Sequence, residues 1–389
     1  MTDGKLVFLV AAEPSGDNLG AKLMASLRTR DPSLRFAGIG GERMAAEGLE
    51  TLFPIGDLSV MGFVEVLPKL PVILDRLKRT AAAIRESKPD IVVLIDAPSF
   101  GLRVADRVRD TGVTIVQYVA PQLWAWRPGR AKKLKRRVDA ILALFPFEPD
   151  FFATLGLKAI YVGHPSIEAL PQPGSREEFR AAHGIAPDDL VIEVLPGSRR
   201  GVFNRMAPIF GDALRLFAAG RKAPVFLLPY VANTDALSTE FAKTLPGRVV
   251  RVNSPGDKRA AMAAADAALS ISGTSVLELA VARLPVAVGH KVNAISAFLA
   301  RRLIKVTHVT PPNLIAGREI LPERLQEACT PETLAADLAR LVDDKAHAAA
   351  MRGEFDAVCA KLGEAEIRKG IYPSDRAASA VLELLSRRS

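Results

Sequence analysis

Ser270-Ile271-Ser272-Gly273-Thr274-Ser275-Val276-Leu277-Glu278 is the stretch on which the fold turns. The apolar run 267–271 ends in a small, glycine-containing turn. The turn opens into a second apolar run that carries one carboxylate, Glu278. A strand feeding a glycine turn and then a helix leaves unpaired backbone N–H groups at the helix start, where the dipole favours an anion. The hydroxyls of Ser272, Thr274 and Ser275 can cap that helix or bond phosphate oxygens. Glu278 lies about one turn further in, placed to accept from ribose hydroxyls. One reading is a nucleotide-diphosphate site. The competing reading is an ordinary capped helix with Glu278 on its wet face.

Working outward, the same strand–helix alternation fills the chain. In the first half the candidate strands are 6–11, 34–39, 91–95, 114–119, 140–144 and 159–162. Amphipathic stretches separate them, such as Leu19, Leu23 and Leu27 at i, i+4, i+8. In the second half they are 190–195, 225–228, 249–252, 267–271 and 286–288. Such alternation predicts parallel sheets covered by helices. The join falls at 164–175, which holds Pro165, Pro171, Pro173 and Gly174. Beyond Pro322 the pattern reads as helix only, and a last helix over about 374–385 has the length to return to the first domain.

Composition bounds the function. A chain of 389 residues, 49% hydrophobic, suffices for two domains with their own cores. Cys329 and Cys359 form no metal or redox spacing, which suits a reducing compartment. Lys5 followed by an apolar run imitates a short signal peptide, but the run leads straight into Glu13-Pro14-Ser15-Gly16-Asp17 and reads better as a buried strand. No uncharged apolar stretch is long enough to span a bilayer. The net charge of +9 is concentrated in Arg127, Arg130, Lys132, Lys133, Lys135, Arg136 and Arg137. Few aromatics accompany that cluster and no nucleic-acid motif appears. Such a cluster suits nucleic acid, anionic lipid or phosphorylated substrates; the competing reading is a solvated helix face.

Several loops fall where a parallel sheet binds ligands, at the carboxyl edge. Glu13-Pro14-Ser15-Gly16-Asp17 follows the first strand. Neither it nor Gly38-Ile39-Gly40-Gly41 has dinucleotide-binding spacing, so a nicotinamide enzyme is disfavoured. Asp96 ends the run 91–95 and suits a general base, or else caps the helix that Asp96-Ala97-Pro98-Ser99 opens. Trp124 and Trp126 beside Arg127 suit a sugar- or acyl-contacting loop, or core packing under a loop. In Leu195-Pro196-Gly197-Ser198-Arg199-Arg200, Gly197 lets the backbone approach closely and Arg199 can fork onto a diphosphate. The lone His164 and His290 read as structural. Residues 58–74 are strongly apolar but contain Glu65, Pro68, Lys69 and Pro71. They fit either an exposed greasy surface or a buried helix–turn–helix.

Together these segments resemble lipid-A-disaccharide synthases, glycosyltransferases of the GT-B type in family 19. Nine blocks carry the resemblance, in order and over nearly the whole chain. They are Glu13-Pro14-Ser15-Gly16-Asp17; Ser59-Val60-Met61-Gly62-Phe63-Val64-Glu65-Val66; Ile95-Asp96-Ala97-Pro98; Trp124-Ala125-Trp126-Arg127; Phe145-Pro146-Phe147-Glu148; Gly163-His164-Pro165; Leu195-Pro196-Gly197-Ser198-Arg199; Ser272-Gly273-Thr274 with Glu278; and Pro312-Asn313-Leu314 through Gly317-Arg318-Glu319.

The resemblance implies an α/β GT-B fold, two Rossmann-like doubly wound domains facing a cleft, with a helical C-terminus. Residues 1–165 would form the acceptor-side domain with a membrane-facing segment at 58–77, 166–365 the UDP-sugar domain, and 366–389 a helix returning to the first. It implies inverting transfer of 2,3-diacylglucosamine from UDP-2,3-diacylglucosamine to the 6-hydroxyl of 2,3-diacylglucosamine 1-phosphate, releasing UDP. Asp96 would be the base, with Glu13 beside it. UDP would meet Gly197, Ser198, Arg199, Ser272, Gly273, Thr274, Ser275 and Glu278. Other substrate contacts would come from Ser15, Gly16, Asp17, Trp126, Arg127, Asn313 and Arg318. Val60, Met61, Phe63, Val64, Val66 and Leu67 would touch acyl chains or the membrane.

The resemblance further implies no metal, no cofactor and no nucleic acid. It places the protein in the cytoplasm, peripheral to the inner membrane, and leaves room for a homodimer. Three departures stand out. Ala12 precedes Glu13 where many relatives carry Gly, Ser99 replaces a second acid, and Gly201-Val202-Phe203 replaces a stretch holding a Glu. The alternatives are another UDP-sugar enzyme on the same fold, or a non-catalytic protein that binds anionic lipid or nucleic acid through its basic cluster.

Overall fold

The computed structural model describes residues 4–58, 63–123, 131–172, 174–293 and 307–387. Two compact units emerge: Met1–Pro165 with Glu366–Ser389, and Ser166–Ala365. Each is built on one six-stranded, all-parallel sheet.

The first sheet contains β1 (Leu6–Ala11), β2 (Arg35–Ile39), β3 (Ile91–Ile95), β4 (Thr114–Tyr118), β5 (Ala140–Ala143) and β6 (Ala159–Tyr161), in spatial order 2-1-3-4-5-6. All six residues of β1 and all five of β3 are buried, as expected of strands covered on both faces. Alternation sorts them into two layers. Val7, Leu9, Val93 and Ile95 meet Leu19, Leu23 and Leu27 of the helix Pro14–Arg30 on one face. Phe8, Val10, Val92 and Leu94 meet Leu77, Phe100 and Val104 on the other.

The helix Pro373–Ser386 completes the first face, burying Ala377, Ala378, Val381 and Leu385. It is tied to Pro14–Arg30 through Asp375, whose Oδ1 accepts from Ser26 Oγ at 2.9 Å and Arg30 Nη1 at 3.0 Å.

The second sheet contains β7 (Val191–Leu195), β8 (Val225–Pro229), β9 (Arg248–Val252), β10 (Ala267–Ser270), β11 (Val286–His290) and β12 (Glu323–Leu325), in order 12-11-10-7-8-9. The last strand corrects the expectation of helix alone beyond Pro322. Glu323-Arg324-Leu325 has no apolar run to announce it. It forms because it pairs with β11, Val288 opposite Glu323. The Glu323 carboxylate also anchors the incoming chain, accepting from the Val309 and Thr310 amides, Thr310 Oγ1 and Asn313 Nδ2.

Residues 63–87 form one helix, Phe63–Ser87, which runs through Pro68 and Pro71 rather than turning between two helices. Leu70, Val72 and Leu74 on it are exposed. Val60 and Met61 lie outside the described residues, and Phe63, Val64, Val66 and Leu67 occupy the helix's opening turns. No described helix is long and apolar enough to cross a membrane.

Asp375→Ala should remove two side-chain bonds and the cap on the Tyr372 amide, which Asp375 Oδ2 accepts at 2.9 Å. The expected loss is about 1–2 kcal/mol by denaturant unfolding. An unchanged midpoint would mean that the tie contributes nothing.

Candidate functional site

Both sheets are wound outward from a central pair of strands, and there the loops leave in opposite directions. In the first unit the pair is β1 and β3, with Ala11 opposite Ile95. In the second it is β7 and β10, with Leu195 opposite Ser270. Such switch points open a crevice at the carboxyl ends of the strands, where ligands bind. The loops picked out from the sequence, 13–17 and 96–99, then 196–199 and 271–275, follow these four strands.

In the first unit, Ser15 Oγ donates to Asp96 Oδ2 at 2.6 Å, joining the loop after β1 to the tip of β3. Asp96 Oδ1 accepts from the Ala97 amide at 2.9 Å. The helix Pro98–Val108 receives no side-chain cap, so Asp96 is not held there as a capping residue. Its side chain is half-buried, and Ser15 beside it is exposed. Gly16 makes the approach possible: a Cβ there would lie 3.1 Å from the Ile95 carbonyl oxygen and 3.6 Å from Asp96 Cβ. Glu13 is the residue that precedes the helix Pro14–Arg30.

Asp17 is buried, and its carboxylate accepts from the amides of Gly41 (2.7 Å), Arg43 (3.1 Å) and Met44 (3.0 Å), opening the helix Glu42–Ala46. It ties the loop after β1 to the loop after β2. Trp126 and Arg127 lie outside the described residues. Of the basic cluster, Arg137 forks onto Asp106, whereas Lys132, Lys133, Lys135 and Arg136 are exposed.

Two further motif blocks also serve the architecture. Glu148 Oε2 accepts from the Leu144 and Phe145 amides, both at 2.9 Å. His164 stacks on Phe145 with centroids 5.1 Å apart. Burial pushes the His164 pKa down to about 4, so the ring is neutral near pH 7.

In the second unit, the helices Arg200–Ala218 and Thr274–Val281 both begin at the switch point with no side-chain cap. The hydroxyls of Ser272, Thr274 and Ser275 thus leave that role unfilled; the Val202 and Val276 amides bond the Arg199 and Gly273 carbonyls, so the first two N–H groups of each helix are the ones an anion would meet. Gly197, at φ +117°, brings the first loop against the second; a Cβ there would sit 3.0 Å from Ile271 Cδ1. Ser198 and Arg199 are exposed, and Arg199 makes no ion pair among the described residues. His290 Nδ1 lies 3.3 Å from the Ser272 carbonyl and steadies the turn.

Asn313 is likewise bonded within the fold. It is fully buried, with Nδ2 on the Leu321 carbonyl and Glu323, and Oδ1 taken by the Ile320 and Leu321 amides. It braces the loop before β12. Arg318 is exposed and held by both oxygens of Glu354, at 2.8 and 2.7 Å.

Glu193 escaped the sequence reading. It interrupts the apolar run of β7, is fully buried, and has no hydrogen-bond partner on either carboxylate oxygen. Burial, and then the charge of Glu278, push its pKa well above the ordinary carboxylate range. Glu278 is also raised by burial, which Lys258 partly opposes. A lone acid inside an apolar strand is the signal that could have found it.

The family model and the curated relatives agree on one family. A family model described as lipid-A-disaccharide synthetase matches residues 7–370. The lipid-A-disaccharide synthase of Rhodospirillum centenum is 42% identical over 386 residues, covering 98% of this chain and 95% of that protein. That of Pseudomonas aeruginosa is 40% identical over 390 residues, covering 100% of both. Among solved structures, Anabaena Alr3699/HepE in complex with UDP and glucose superposes with a TM-score of 0.55 at 13% identity, over 98% of this chain and 99% of that one. Acinetobacter baumannii MurG does so with 0.55 at 15% identity, over 92% and 99%. These likenesses give the GT-B fold.

The pH dependence of stability tests the Glu193 environment. A carboxyl whose folded pKa is raised holds its proton more tightly when folded. Its favourable share of stability is complete below the unfolded pKa of about 4.3 and is lost as pH rises through the folded pKa. Glu193→Gln should match the parent near pH 4 and gain on it steadily toward alkaline pH in thermal melts. Parallel melting curves would mean that Glu193 ionises as freely folded as unfolded.

Proposed function

The chain belongs to the lipid-A-disaccharide synthase family and forms the lipid A disaccharide as a GT-B glycosyltransferase, and on that premise we infer that its donor is UDP-2,3-diacylglucosamine and its acceptor 2,3-diacylglucosamine 1-phosphate. Asp96 takes the proton from the acceptor 6-hydroxyl. The oxygen so freed attacks the anomeric carbon, the bond to the diphosphate breaks on the opposite face, and UDP departs with that electron pair. The configuration inverts. The products are the β(1→6)-linked disaccharide 1-phosphate and UDP.

The observation that carries this reading is the pairing of Asp96 with Ser15 at the first switch point. A carboxylate held by one hydroxyl and one amide still has lone pairs for a substrate proton. Glu13 at the same strand edge would contact the acceptor. At the second switch point, Arg199 and the uncapped helix Thr274–Val281 face the charge that develops on the leaving diphosphate. Gly197, Ser198, Ser272, Gly273, Thr274 and Ser275 line that position, and Glu278 accepts from the ribose. Arg318 would reach substrate on leaving Glu354.

Both lipids are amphiphilic, which favours a cytoplasmic enzyme peripheral to the inner membrane. The helix Phe63–Ser87, with Leu70, Val72 and Leu74 exposed, provides an apolar contact. Lys132, Lys133, Lys135 and Arg136 supply attraction to anionic headgroups.

UDP release measured in detergent micelles should require both lipids together. Release with the donor alone would point to hydrolysis. Asp96→Ala should lower kcat about 10² to 10⁴-fold; wild-type turnover would remove it as the base. Arg199→Ala should weaken UDP binding by about 1.5–3 kcal/mol, roughly ten- to a hundredfold in calorimetry. Unchanged affinity would place Arg199 outside the donor site.

A further inference from the structure

Beneath Asp96 the backbone is strained at three residues. Asp96 (φ +53°) and Ala97 (φ +38°) are left-handed in succession at the end of β3, and Val119 (φ +75°) is left-handed at the end of β4. Such conformations cost about 1–3 kcal/mol each for residues with a Cβ, and persist only where surrounding bonds impose them. A β-branched valine there is an outlier in its own right.

One side chain reaches the carbonyls of two of them, Asp96 and Val119. Gln117 lies on β4, opposite Leu94 of β3, and is fully buried. Its Nε2 sits 3.3 Å from the Asp96 carbonyl, 3.3 Å from that of Tyr118 and 3.2 Å from that of Val119. Three acceptors around one atom fix the amide orientation, because the flipped amide would set oxygen against oxygen. Gln117 Oε1 is buried with no partner. That orphan acceptor costs about 1–3 kcal/mol, which an apolar residue at the same strand position would avoid. The chain keeps an expensive amide where only its nitrogen is used.

We propose that Gln117 is a positioning residue for Asp96: its amide nitrogen, shared by three carbonyls at the ends of β3 and β4, holds the left-handed turn that presents the carboxylate beside Ser15. The inference rests on Asp96 being the base. Without the amide, the carbonyls of residues 96 and 119 lose this donor, the Tyr118 carbonyl keeps only the Asp96 N–H at 2.9 Å, and the turn relaxes toward ordinary φ. The carboxylate then moves relative to the acceptor hydroxyl, and a displacement of about 1 Å can cost 10²-fold in rate.

The test compares Gln117→Leu, Gln117→Glu, Asp96→Asn and the Gln117→Leu/Asp96→Asn double variant. The readouts are kcat, KM for each lipid, UDP affinity and melting temperature. Gln117→Leu should lower kcat by roughly 10- to 100-fold while KM and UDP affinity stay within about twofold. In the Asp96→Asn background the same change should do little, since it acts through the base. Gln117→Glu can donate only while its buried carboxyl keeps a proton. Its kcat relative to wild type should therefore fall as pH rises from about 6 to 9.

Wild-type kcat in Gln117→Leu would overturn the proposal. So would an equal effect with and without Asp96, or a loss of kcat that merely tracks melting temperature and UDP affinity. If Asp96→Asn itself turns over normally, the base assignment fails first. If Asp96→Asn is inactive and Gln117→Leu is normal, only the positioning role fails.

Discussion

Everything in this protein follows from strands that all run the same way. A parallel sheet sends every strand to one edge, so every loop after a strand opens there and every following helix points its N-terminus toward it. The winding reverses between β1 and β3 in one unit and between β7 and β10 in the other. At those two places no crossover helix covers the strand ends. Four loops therefore leave the strands at these two places.

The same geometry explains how buried polarity is distributed. Several buried carboxylates and amides are saturated. Asp17 takes three amides, Glu148 two, and Asn313 exchanges bonds with the segment that leads into β12. On β4 and β7 the pattern fails. Gln117 has an unpartnered oxygen and Glu193 two. A buried unsatisfied polar group is costly, and natural folds keep few. Both lie on central strands, close under the loops that carry Asp96 and Arg199. At the ends of β3 and β4, unrelieved polarity at Gln117 coincides with positive φ at Asp96, Ala97 and Val119.

Motif blocks that run together in the sequence separate by role in space. The blocks around Asp96, Arg199 and Gly273 stand at open strand ends. Those around Phe145, His164 and Asn313 brace turns: burial holds His164 neutral, and the Asn313 side chain bonds neighbouring backbone and the Glu323 carboxylate. Substituting the second kind would disturb catalysis only through the loops they support.

The sequence by itself determined the strand–helix alternation, because fully buried parallel strands must be continuous apolar runs and their covering helices must repeat every 3.6 residues. It also located the four loops, since a strand followed by small residues and a helix start is a local pattern. Three things it did not contain. The short edge strand Glu323–Leu325 exists only by pairing with β11. Whether a polar residue is spent on the backbone or left for a ligand depended on contacts across distant positions, as in Asp17 with Gly41 and Ser15 with Asp96. The contacts of Gln117 and the burial of Glu193 arise from neighbours on adjoining strands and helices. Periodicity is a property of the chain, whereas satisfaction of a buried group is a property of whatever the fold brings beside it.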